Sequence, residues 1–114
     1  MPKYSDIEIF AKSTKKYKVT FYKNNLVENI ADWTVYFVVK ENKEDADIDA
    51  KITKTITSHL NASIGETLIE LSTSDTNLDG VHYYEVSYLD GEANQEVVYY
   101  GKINFRKPTL QSRA

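Results

Sequence analysis

The sequence predicts an all-β domain, an antiparallel β-sandwich of about seven strands. Three observations carry that expectation. Apolar residues recur with a period of two in most segments, which places alternate side chains on opposite faces of a strand. Strand-forming residues are abundant, with nine Tyr, four Phe and one Trp beside many Thr, Val and Ile. Polar breaks recur roughly every 10–15 residues, and no segment is periodic enough for a helix longer than a turn.

The elements follow in order. Ile7, Ile9 and Ala11 alternate with Asp6, Glu8 and Lys12, giving a first strand over about residues 6–12 before the Ser13–Lys16 break. Tyr17, Val19 and Phe21 share one face of a second strand, 17–23, which Asn24-Asn25 turns. Leu26-Val27 and Ile30 read as apolar anchors in an irregular connection. Residues 33–40 (WTVYFVVK) are the most strand-like run, with Trp33, Val35, Phe37 and Val39 as the central core set. Thr34, Tyr36 and Val38 hold the other parity, so that second face is either covered or meets a partner. A short strand is expected around Ile52–Ile56, a loop over 58–65, and a strand with Thr67, Ile69 and Leu71 on one face. Ser72–Thr76 is a polar crossing with room for a single helical turn.

The last stretch, Asn77–Phe105, holds five of the nine tyrosines and reads as two long strands joined by Asp90–Asn94. Gly and Asn there tolerate the positive φ that a tight reversal needs. Tyr84, Val86 and Tyr88 are expected inward with Ile103 and Phe105, leaving Tyr83 and Glu85 outward. Gly101, in mid-strand, marks a bulge or a close backbone approach. Lys107-Pro108 stops the strand, and residues 109–114 form a frayed or docking tail.

Composition narrows the function classes. The length suits one domain, 1–114, with a genuine core. A net charge of −3 argues against duplex nucleic acid as a partner, since such binders carry a basic surplus to displace counterions. No cysteine is present, so disulfides and thiol chemistry are excluded. No apolar run approaches the ~18 residues of a membrane span, and the N-terminus lacks the apolar core of a secretory signal. Neither a membrane partner nor a leader is therefore expected.

Candidate chemistry is sparse. Asp45, Asp47 and Asp49 alternate like the opening of a calcium loop, but Ala50 and Ile56 stand where the turn glycine and bidentate glutamate belong, so a solvated acidic turn is expected. His59 and His82 lie on different elements, and no partner set for zinc or for a serine nucleophile accompanies them. His82 shares parity with Tyr84 and Val86 and is expected at the edge of the core. No glycine-rich phosphate loop occurs. No cofactor, metal or catalytic residue is expected. Two basic clusters, Lys12–Lys23 and Lys102–Arg113, stand against the acidic stretch 41–49. They are either interspersed surface charge or opposite patches that dock neighbouring copies head to tail. Exposed tyrosines, Tyr83 with Tyr99 or Tyr100, would suit such an interface or stacking on a glycan.

Several segments together carry a family resemblance: Asp6–Ile9 with Tyr17–Phe21, Ile30–Lys40, Asp45–Ile48, Gly65–Leu71, Asp75–Asn77, Gly80–Val86 and Tyr100–Ile103. Their order resembles the immunoglobulin-like N-terminal domain of the upper baseplate protein of tailed phages of Gram-positive hosts, and related small virion domains. The resemblance spans about residues 6–106. It implies an immunoglobulin-like sandwich and a non-enzymatic virion structural protein, assembled in the host cytoplasm in many copies. The expected partners are other virion proteins at the baseplate, tail, collar or capsid surface, and further copies of the chain. A carbohydrate-binding module that attaches the particle to its host is the alternative. The interface residues expected are Tyr4, Tyr83 and Tyr99, with Lys107 and Arg113 in the tail.

Overall fold

A computed structural model describes residues 3–23 and 26–107, with the backbone alone for Lys3 and Lys23. The expected Asn24-Asn25 turn, the Pro108 stop and the 109–114 tail with Arg113 lie outside the described residues. Among the described residues the fold is all-β. The strands are β1 (Lys3–Tyr4), β2 (Ile7–Phe10), β3 (Lys15–Thr20), β4 (Tyr22–Lys23), β5 (Leu26–Val27), β6 (Thr34–Lys40), β7 (Ile52–Ile56), β8 (Glu66–Leu71), β9 (Gly80–Leu89) and β10 (Gln95–Arg106). Three of these have only two residues, and the other seven correspond to the seven expected strands.

The strands form an immunoglobulin-like sandwich. One sheet runs β1-β10-β9-β6-β7, with β2 continuing the β1 edge along β10, and the β3-β8 pair packs against its inner face. Alternation explains the core. In β6, Val35, Phe37 and Val39 are each at most 1% exposed while the residues between them are half-buried. They meet Tyr84, Val86, Ile103 and Phe105 from their own sheet and Ile69 and Leu71 from β8. Fully burying each such side chain stabilises the fold by roughly 1.5–3 kcal/mol. His82 is buried at the rim, its ring edge-on to Phe105 at 5.3 Å, as its parity predicted.

Three local expectations are corrected. The sandwich is not wholly antiparallel, because β1 and β2 pair parallel with β10. The reason is that β2 does not return through a hairpin. It passes through buried Ala11 and left-handed Lys12 into β3 of the opposite sheet.

The expected strand 17–23 breaks at Phe21. Its N–H donates to Gly65 O at 2.9 Å and its carbonyl accepts from Glu28 N–H at 3.0 Å. The chain thereby leaves β8, and Tyr22-Lys23 pairs with Leu26-Val27 instead. Leu26 and Val27 are consequently exposed strand residues and not anchors, whereas Ile30 is fully buried.

In the β9–β10 turn the left-handed position falls on Ala93 (φ 65°), while Gly91 has another task. A Cβ on Gly91 would come within 3.2 Å of the Asp32 Cβ, so glycine lets the hairpin tip pack on the 28–33 connection.

Gly101 is the expected close backbone approach. A Cβ there would lie 2.9 Å from the carbonyl carbon of Ser5, at the joint between β1 and β2. The Ser5 N–H donates to Tyr100 O at 2.9 Å, the buried Tyr84 hydroxyl donates to Ser5 O, and Lys102 N–H donates to the Asp6 carboxylate at 3.1 Å. Asp6 thus supplies a side-chain acceptor where the backbone ladder is interrupted.

Candidate functional site

The outward parity of the six-stranded sheet gathers the tyrosines. Cross-strand register sets Thr53, Val38, Glu85, Tyr100 and Tyr4 side by side on five successive strands. A neighbouring row holds Lys40, Tyr83 and Lys102, and a third holds Thr55, Tyr36 and Ser87. Together these residues border a shallow depression of about 500 Å³. Tyr4 and Tyr100 are exposed and meet edge to face at 5.2 Å, while Tyr36 and Tyr83 are half-buried.

The face is electrostatically mixed. Lys43 Nζ lies 5.1 Å from the Tyr83 ring centroid, a cation–π distance. Lys40 Nζ donates to Asp45 O at 2.9 Å and to Asp47 Oδ1 at 2.7 Å. That ammonium therefore sits in the acidic turn 45–49, and its bond holds the Asp47 carboxyl below the usual range. Asp45 accepts from Asn42 N–H at 3.1 Å. Among the described residues no group of three His, Asp or Glu could hold a metal ion. The hydrogen bond between Tyr4 and Asp6 pushes the tyrosine's ionisation up and the carboxyl's down.

The expected interface residues separate. Tyr4 and Tyr83 belong to the outer face. Tyr99 does not: it is half-buried against the core on the inward side of β10, and Tyr100 takes the outward position. The parity of Ile103 and Phe105 carried this signal, because Tyr99 shares it and Tyr100 does not. Lys107 is exposed, 3.8 Å from Asp79, at the far end of β10. Six extended residues, roughly 20 Å, separate it from Tyr100. Tyr36 and Lys43 were not singled out in sequence. For Tyr36 the second parity of β6 was the available signal; for Lys43, in a loop, there was none.

The histidines are engaged structurally at separate places. His59 Nε2 lies 2.8 Å from Trp33 O and so donates to it, while Nδ1 lies 2.9 Å from the hydroxyl of fully buried Thr67. His82 Nδ1 lies 3.3 Å from Gly80 O.

A second concave surface lies at the end of the sandwich formed by the 28–33 connection and the β9–β10 turn. It is a groove of about 1330 Å³. Its floor is the stacked pair Trp33–Tyr88, 4.4 Å apart and 14° from parallel, with Phe21 edge-on to both.

No protein-family model matches the chain, and no curated protein matches it. Among the described residues no helix is long and apolar enough to cross a membrane.

Proposed function

We propose that this chain is a non-enzymatic structural protein of a tailed-phage virion, which attaches to other virion proteins through the tyrosine face of its larger sheet. The observation that carries the attachment is the exposed row Tyr100–Tyr4 with Tyr83 and Tyr36 beside it, on a sheet face flanked by Lys43 and Asp47 of the 41–49 segment. Tyrosine suits such a contact because it buries a large ring with little loss of conformational freedom and keeps a polar tip for the rim. Lys43, Lys102 and Glu85 add charges of both signs, which set register against a partner more than they add affinity. The virion setting rests on the sequence resemblance from residue 6 to residue 106. The separate structural engagements of His59 and His82 support a non-catalytic role.

The test uses particles purified from the lysing host culture. Antibody against this chain should decorate them at a repeated position. Particles stripped of the chain should rebind wild-type protein, whereas Tyr36→Ser/Tyr83→Ser/Tyr100→Ser should rebind at least ~30-fold more weakly, the loss expected of a central aromatic cluster. Unlabelled particles would refute the virion role, and undiminished rebinding would refute the tyrosine face. Saturable binding to a glycan array, lost in the same variant, would replace protein docking with carbohydrate adhesion.

A further inference from the structure

Opposite ends of the sandwich carry two surfaces of opposite charge. At one end, Glu28, Asp32, Asp90, Glu92 and Glu96 line the aromatic-floored groove, and among the described residues no Lys, Arg or His lines it. Local structure fixes this arrangement. The Asp90 carboxylate accepts from Glu92 N–H at 2.8 Å and Asn94 N–H at 3.0 Å, which shapes the hairpin tip that carries Glu92. Gly91 then allows the tip to sit against Asp32.

At the other end, the β2–β3 turn presents Lys12, Lys15 and Lys16. All three are exposed and form no ion pair among the described residues. The nearby cations Lys54, Arg106 and Lys107 are, by contrast, already matched to Asp75, Glu8 and Asp79. Strand β10 spans the distance between the ends, along a body 44 Å in its longest dimension. The acidic stretch 41–49, which the sequence left as either interspersed charge or the complementary patch, follows Lys40 toward the lysine end and is partly neutralised by it.

We propose that copies of this chain dock end to end, the Lys12–Lys16 turn of one copy seating in the acidic groove of the next. Each lysine brings an apolar stem for the Trp33–Tyr88 floor and a charge for the carboxylate rim, so stacking and charge act together. The contact joins two different surfaces of the same molecule. It therefore propagates into a ring or a filament and does not stop at a two-fold dimer. It involves the sandwich ends and not the tyrosine face, so the two assignments fail separately.

Sedimentation velocity of the 114-residue chain, over a concentration series at ~20 mM and ~500 mM salt, reads the association. The weight-average mass should rise with concentration at low salt, and the affinity should fall at least ~10-fold at high salt. Lys12→Glu/Lys15→Glu/Lys16→Glu and Asp32→Lys/Glu92→Lys should each be monomeric, and mixing the two should restore assembly through reversed charges. Trp33 is the sole tryptophan, so its fluorescence gives a second readout that needs no variant. A peptide of residues 11–18 should perturb it saturably, and a neutral oligosaccharide should not. A wild-type chain that stays monomeric at low salt would overturn the proposal, as would association that survives both reversals. Association abolished only by Tyr83→Ser/Tyr100→Ser would assign it to the sheet face and equally overturn it. A sugar-induced change in Trp33 without the peptide response would make the groove a glycan site instead.

Discussion

Replacing Gly101 with alanine tests how firmly the N-terminal arm is held, and with it the position of Tyr4. The new Cβ would collide with the Ser5 carbonyl, a backbone group that cannot rotate aside. Relief requires the β1–β2 joint to lift from β10. Three hydrogen bonds go with it: Ser5 N–H to Tyr100 O, Tyr84 hydroxyl to Ser5 O, and Lys102 N–H to Asp6. At about 1 kcal/mol each, with an added penalty because the Tyr84 hydroxyl is left without its acceptor, the loss comes to about 2–4 kcal/mol. For a domain of this size that corresponds to a fall in melting temperature of about 10 °C or more. Urea and thermal unfolding of Gly101→Ala against wild type would measure it. Tyr84→Phe alone should cost about 1 kcal/mol, and in the Gly101→Ala background close to nothing, because its bond is already broken. A Gly101→Ala loss below about 0.5 kcal/mol, or full additivity with Tyr84→Phe, would refute the claim that this contact holds the arm.

Further outcomes follow from single contacts. Ala93→Gly should stabilise the domain by about 0.5–1 kcal/mol, since a left-handed alanine is strained and glycine is not; an unchanged denaturation midpoint would show that the turn relaxes in solution. Asp75 is pushed up by partial burial, but hydrogen bonds from Lys54 and Ser72 outweigh this and hold it below its ordinary value of 3.8. Its folded pKa is thus depressed, so its contribution is complete above the unfolded value and fades as pH falls through the folded one. Asp75→Asn should cost about 1–2 kcal/mol at neutral pH, and the gap from wild type should close below about pH 3.8 in an unfolding series across pH. Tyr83→Ser/Tyr100→Ser should change stability by less than about 1.5 kcal/mol, because both rings keep solvent contact, while particle rebinding falls sharply; a large loss of stability would make these residues structural.

Period-two alternation by itself determined the all-β class, the seven main strands and most of the inward and outward faces. The reason is local: successive side chains of a strand must point to opposite sides, so Val35, Phe37 and Val39 declare a core face without reference to any partner. The same rule made Tyr83 outward, and applied strictly along β10 it separates Tyr99 from Tyr100. What alternation could not reach depends on which distant segments meet. That Phe21 leaves β8 is decided by nearby Glu28 together with Gly65, which is remote in sequence. That β1 and β2 run parallel to β10 follows from a crossing between sheets that no local pattern records. The tyrosine face exists because register aligns Tyr4 with Tyr100, almost the whole chain apart. The charge polarity was likewise invisible. Glu28, Asp32 and Glu92 are scattered along the sequence, and only the packing of Gly91 on Asp32 gathers them at one end. The acidic run 41–49, conspicuous in sequence, is partly quieted by Lys40, the residue just before it, once the chain turns back so that Asp47 meets that ammonium.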